Sequence, residues 1–206
     1  IRVNGLDTPW FEADFAAAVA AGPDAILIPK VSDPDTLSLV GRKLALAHAP
    51  FDTRIWAMIE TPLAIINVRK IARAALDPST RLGCFVMGTN DLAKETRARF
   101  VPGRAPMLAW LSMALVGARA YGIDIVDGVY NDLKNEEGFA AECAEGRDMG
   151  FDGKTLIHPN QVAKANEIFA PATEEVARAR AIIAAFESPE NADKGAIQLD
   201  GRMIER

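Results

Sequence analysis

The feature that most limits how this chain can fold is an alternation. Short apolar runs of strand length are each followed by a longer stretch with helical periodicity. "IRVN" (1–4) precedes "PWFEADFAAAVAAG", "DAILIPK" (24–30) precedes "DPDTLSLVGRKLALAHA", and "RIWAMIE" (54–60) precedes "PLAIINVRKIARAAL". "CFVMG" (84–88) leads into "NDLAKETRARF" and, past a Pro/Gly loop, "PMLAWLSMALVGARAYG". "IDIVDGVY" (123–130) and "GKTLIH" (153–158) open the last two units. Strands that alternate with helices build parallel sheets. The runs are apolar at successive positions, as burial on both faces requires. Six such units leave two architectures open: a doubly wound sheet, or a (β/α)8 barrel lacking its first two units.

Composition narrows the class. With 206 residues, half of them hydrophobic, the chain is long enough for one domain with a sizeable core. No apolar run reaches the roughly 18 residues of a membrane span, and no basic-then-apolar leader is visible. No membrane partner is expected, and the expected compartment is the cytoplasm. The two cysteines, Cys84 and Cys143, lie in segments of regular structure without a metal-type partner, which reads as reduced thiols. Net charge is −5 with both signs interspersed, so no nucleic-acid partner is expected.

In parallel α/β folds ligands bind where strands end and helices begin. Here polar residues collect at those ends. Glu60 precedes Thr61-Pro62, a helix cap and a first-turn proline, so it closes its strand at the rim. Asp91 follows "FVMG" at a helix start, and Asp127 sits late in "IDIVDGVY". His158 precedes Pro159 and reads as a structural residue packed at the rim. Arg2 and Asn4 alternate with apolar neighbours, which points both to one face, the inside of a barrel. An arginine there needs a partner or an anionic ligand. Trp10, Trp56 and Trp110 are assigned to the core or an interface.

Glu60 and Asp91 end consecutive strands, which lie about 4.8 Å apart in a parallel sheet. Taken singly, each is explained by helix capping or the helix dipole. As a pair they would repel and raise one pKa, and a shared cation removes the conflict. Two carboxylates with open water positions suit Mg2+.

These motifs carry a resemblance. "IRVNGLDTPWFEADF", "PDAILIPKV", "AMIETPLAIINVRKIA", "VMGTNDLAKE", "VDGVYNDLKNEEGF", "GRDMGFDGKTLIHPNQV" and the tail "KGAIQLDGRMIER" are similar to the citrate lyase β-subunit-like proteins. That branch of the HpcH/HpaI aldolase superfamily includes the malyl-CoA lyases. The resemblance implies an α/β fold, a (β/α)8 TIM barrel, here lacking the first two βα units. Residues 1–170 would form the partial barrel and 171–206 a C-terminal helix with a lid or tail segment. It also implies that relatives continue on both sides of this stretch. The polar segment "ESPENADKG" reads as a hinge for a mobile lid, or as a flexible tail.

For the site, the resemblance implies that Glu60 and Asp91 hold Mg2+. Gly88 and Thr89 would lie against the substrate, and Arg2 would contact its oxygens and stabilise developing charge. The proton-transfer aspartate of malyl-CoA lyase relatives stands in a "DG-x-M-I-D" tail; here the corresponding position is Glu205, one methylene longer. The implied activity is Mg2+-dependent carbon–carbon cleavage of a 3-hydroxyacyl-CoA such as malyl-CoA or citramalyl-CoA, with an acyl-CoA and a small keto acid as partners. A homotrimer or hexamer is expected. The alternatives are a malyl-CoA thioesterase, a citrate lyase β subunit working inside a larger complex, and a class II pyruvate aldolase. The last tends to carry "GPNDLS" where this chain has "GTNDLA".

Overall fold

The computed structural model describes all 206 residues, which divide into two compact units, Ile1–Phe169 and Ala170–Arg206. The first runs through α1 (Phe11–Ala20), β1 (Ala25–Ile28), α2 (Pro34–Leu46), β2 (Arg54–Ile59), α3 (Pro62–Arg73) and β3 (Leu82–Met87). It continues through α4 (Thr89–Thr96), α5 (Leu108–Ala120), β4 (Asp124–Asp127), α6 (Glu136–Met149), β5 (Gly153–Lys154) and α7 (Asn160–Phe169).

All strand pairs are parallel and their order follows the chain, β1-β2-β3-β4-β5. A doubly wound sheet reverses its strand order partway along. This one never does, and successive right-handed crossovers then place the helices on one face. The packing agrees. Ile26, Ile28, Ile55, Ala57, Ile59, Phe85, Met87 and Ile125 join helix residues such as Phe15, Val40, Ile71 and Leu111 in the main core. The opposite face carries a separate small cluster of strand residues, Leu27, Met58, Cys84, Val86 and Val126. The sheet is TIM-barrel-like, its helix-covered side the outer face and the other side the inner face.

The expected barrel is not closed by these residues. β5 pairs only with β4, and beyond β1 there is only a single bridge, Arg2 to Leu27. "IRVN" therefore contributes one bridge rather than a strand. "IDIVDGVY" is strand only to Asp127, and "GKTLIH" only to Lys154. Thr155 closes the ladder, its amide and its hydroxyl both donating to the Asp127 carbonyl at 2.9 and 2.7 Å.

Helix starts follow their capping residues. Asp33 accepts from the Thr36 amide at 2.9 Å with Pro34 in the first turn, and Thr61 accepts from Ala64 at 3.0 Å with Pro62 behind it. Each such cap contributes about 1 kcal/mol. Because the Thr61 cap fixes where α3 begins, it also fixes where β2 must stop, one residue before Glu60.

The second unit holds α8 (Thr173–Glu187) and an antiparallel hairpin, β6 (Ala196–Leu199) with β7 (Arg202–Glu205). Asp200 and Gly201 join the strands with φ of 48° and 75°. Both are left-handed, the two-residue turn whose twist matches that of the strands and for which Asp-Gly is favoured. The segment read as a hinge or free tail is partly tied down: Asn191 Nδ2 donates to the Ala185 carbonyl at 2.9 Å.

Candidate active site

The register of the sheet builds the site. Met58 pairs with Val86, and Val86 with Val126. Two residues further toward the C-terminal ends stand Glu60, Gly88 and Gly128, on the inner face by the same alternation. One carboxylate is thus followed by two positions without a Cβ. The gap is filled closely. A Cβ at Gly88 would collide with the Glu60 side chain, coming within 2.8 Å of Oε2. A Cβ at Gly128 would collide with Thr89, coming within 2.6 Å of its Cγ2.

Glu60 is 4% exposed. Its Oε1 accepts from the Lys30 amide at 2.8 Å, and Lys30 adopts a left-handed φ of 53° at the end of β1. Such strain in a non-glycine residue is typical of functional sites. Asp91 stands in the first turn of α4, near enough for its charge to act on Glu60. Burial raises the Glu60 pKa, the Lys30 amide opposes it, and the Asp91 charge raises it further. The net direction is up. The Thr89 hydroxyl, against Gly128, is buried and has no hydrogen-bond partner.

This donor set fits a hard divalent cation. It offers two carboxylates, Glu60 and Asp91, set near one another. No group of three or more His, Cys, Asp or Glu is arranged to hold a metal ion by itself.

The other expected residues fall in different places. Arg2 is exposed and enters no salt bridge. Its bridge to Leu27 puts it on the inner face, level with Trp56. That is four residues short of Glu60, about 13 Å along the strands, so the fold brings Arg2 to the same face but not into contact with the pair. Asn4 does not join it: its side chain donates to Asp14 of α1 at 2.6 Å. Asp127 is a further correction to the rim reading. It is fully buried on the outer face and accepts from Arg104 at 2.8 Å and Lys154 at 3.1 Å. His158 is exposed rather than packed and accepts from the Asn160 amide at 3.2 Å. Glu205 lies in the second unit, on the hairpin face it shares with Met203, and both are exposed.

Three contributors escaped the sequence: the Lys30 amide, Gly128, and a reciprocal amide pair, Asn90 with Asn131 at 3.1 and 2.7 Å. The last ties the start of α4 to the loop after β4. That loop also walls a cavity of about 440 Å3 with Phe100, Tyr130 and Ala141, which includes neither Glu60 nor Asp91.

Residues 1–159 match the family model HpcH/HpaI aldolase/citrate lyase. The chain belongs to this family. Among characterised members of the HpcH/HpaI aldolase/citrate lyase family, it is 49% identical over 205 residues to (3S)-malyl-CoA thioesterase of Cereibacter sphaeroides, covering 100% of this chain and 68% of that protein. It is 33% identical over 210 residues to citrate lyase subunit beta of Escherichia coli, again covering 100% and 68%. Among solved structures, RipC from Yersinia pestis superposes with a TM-score of 0.76 at 28% identity, covering 85% of this chain and 78% of that one. CitE from Mycobacterium tuberculosis, in complex with magnesium, acetoacetate and coenzyme A, superposes with a TM-score of 0.71 at 25% identity, covering 100% and 72%.

Proposed function

We propose that this protein is a Mg2+-dependent enzyme acting on a 3-hydroxyacyl-CoA thioester of the malyl-CoA type, and that it hydrolyses the thioester. The observation that carries the metal half is the buried Glu60 carboxylate set against Asp91 beneath two glycine positions. The magnesium and coenzyme A bound by the CitE relative support the same reading. The choice of hydrolysis rests on the 49% identity to a malyl-CoA thioesterase.

In this reading Glu60 and Asp91 hold the ion. When bound, Mg2+ supplies a template and a Lewis acid for the substrate's oxygens. The Lys30 amide keeps Glu60 turned toward Asp91. Arg2, unpaired on the inner face, binds the substrate's carboxylate or thioester oxygen. Gly88 and Thr89, at the start of α4, are the proposed contacts for the acyl chain. Water adds to the thioester carbonyl, the C–S bond breaks, and the thiolate of coenzyme A leaves and takes up a proton. Glu205 is the proposed group for that proton transfer. Assembly of three or six copies and a cytoplasmic location belong to the same proposal. No helix is long and apolar enough to cross a membrane.

A second reading, carbon–carbon cleavage, is favoured by the 33% identity to citrate lyase β subunits. The 3-hydroxyl loses its proton, the bond between the carbinol carbon and the methylene breaks, and the acetyl-CoA enolate is reprotonated. Arg2 would then stabilise the enolate oxygen.

One experiment separates the two. The protein is incubated with malyl-CoA, with Mg2+ or EDTA, and free thiol and glyoxylate are followed separately. Hydrolysis predicts thiol without glyoxylate, abolished by EDTA. Glyoxylate without thiol would establish cleavage. Neither product would overturn the malyl-CoA reading.

A further inference from the structure

Behind β4, on the outer face, five charged side chains are packed together. Asp127 is fully buried, and Lys154 and Arg104 have 0% and 3% of their side chains exposed. Arg104 Nη1 donates to both Asp127 oxygens at 2.8 Å and its Nε donates to Glu145 at 2.7 Å. Lys154 Nζ donates to Asp127 at 3.1 Å and to Glu142 at 2.7 Å. Arg104 reaches this position from the loop between α4 and α5 with a left-handed φ of 46°. A fold that fully buries Asp127 between two buried bases, flanks them with two partly exposed acids and strains an arginine backbone to do so is holding something in place.

What it holds is Gly128. Asp127 Oδ1 accepts from the Gly128 amide at 2.7 Å, and the Asp127 carbonyl is fixed by Thr155. Gly128 in turn lies against Thr89, where an added Cβ would come within 2.6 Å of Cγ2 and 3.0 Å of Cβ. Its φ is outside the left-handed range, so the position needs glycine for space and not for conformation. Thr89 begins the same helical turn that carries Asp91. On the other side of the pair, the Lys30 amide holds Glu60.

We infer that the buried cluster positions the carboxylate pair. Asp127 sets Gly128, Gly128 sets Thr89, and Thr89 sets how far Asp91 stands from Glu60. Asp127, Arg104 and Gly128 are thus positioning residues that touch neither metal nor substrate. The inference rests on the proposal that Glu60 and Asp91 bind a divalent ion.

The test is Mn2+ affinity, read as free Mn2+ by electron paramagnetic resonance on the intact chain, with folding checked by a cooperative thermal melt. Gly128→Ala is expected to weaken Mn2+ binding about 10- to 100-fold, the range for outer partners of metal ligands. Adding Thr89→Ala removes Oγ1 and Cγ2 from the clash and should restore most of that loss, a coupling that general destabilisation would not produce. Asp127→Asn keeps the acceptor for the Gly128 amide and should weaken binding less than Asp127→Ala. This second comparison applies if Gly128→Ala melts too early to be titrated. Wild-type affinity in Gly128→Ala, or equal losses in the single and double variants, would overturn the positioning role alone. A wild-type chain that binds no Mn2+, or binds it equally well with Asp91→Asn, would overturn the metal reading on which it stands.

Discussion

Burial withholds water from the Glu60 carboxylate, the Lys30 amide partly compensates, and the Asp91 charge adds repulsion, so Glu60 takes up a proton above its ordinary value of 4.5. A carboxyl raised in the folded state contributes stability that is fully present below 4.5 and is lost as pH rises through the folded value. The metal-free protein should therefore lose melting temperature as pH climbs through that interval, and Glu60→Gln should flatten the slope. Mg2+ needs the ionised form, so its affinity should rise over the same interval. Melting curves against pH, with EDTA and with Mg2+, check both statements. The cysteines behave oppositely to reactive thiols. Burial, then the charges of Asp124 and Asp152, push Cys84 up to about 12, and burial pushes Cys143 up to about 11. Neither should react with a colorimetric disulfide reagent at pH 8 until the protein is denatured, when both should.

Elements explain what could and could not be read from the sequence. The end of β2 was legible to within one residue, Ile59 rather than Glu60, because Thr61 and Pro62 announce the start of α3. Asp91 comes near Glu60 from the first turn of α4 rather than from a strand end. β4 and β5 were overread: their apolar residues continue past Asp127 and Lys154, where the strand pairing stops. Asp127 looked like a rim residue because alternation gives a parity but not which parity faces inward. The Arg104 cluster was illegible, since it joins residues 23 to 41 positions apart through a loop of irregular conformation. That cluster makes a prediction at its own scale. Arg104→Ala leaves Asp127 buried without its main partner and should cost about 3–5 kcal/mol, measured by denaturant unfolding. Lys43→Ala breaks the surface pair with Glu12 and should cost no more than about 1 kcal/mol.

At the scale of the molecule, strand order decided the architecture. Five parallel strands in chain order, with helices on one face, form a TIM-barrel-like sheet. At its C-terminal edge Glu60 stands in a row with Gly88 and Gly128, near Asp91 of α4. The proposed chemistry follows only if Glu60 and Asp91 hold a metal. The most direct measurement is therefore a calorimetric Mg2+ titration of the protein and of its Glu60→Gln and Asp91→Asn variants. The account predicts one site per chain in the wild type, lost or weakened at least tenfold in both variants while their folds persist. Equal Mg2+ affinity in all three proteins would contradict it.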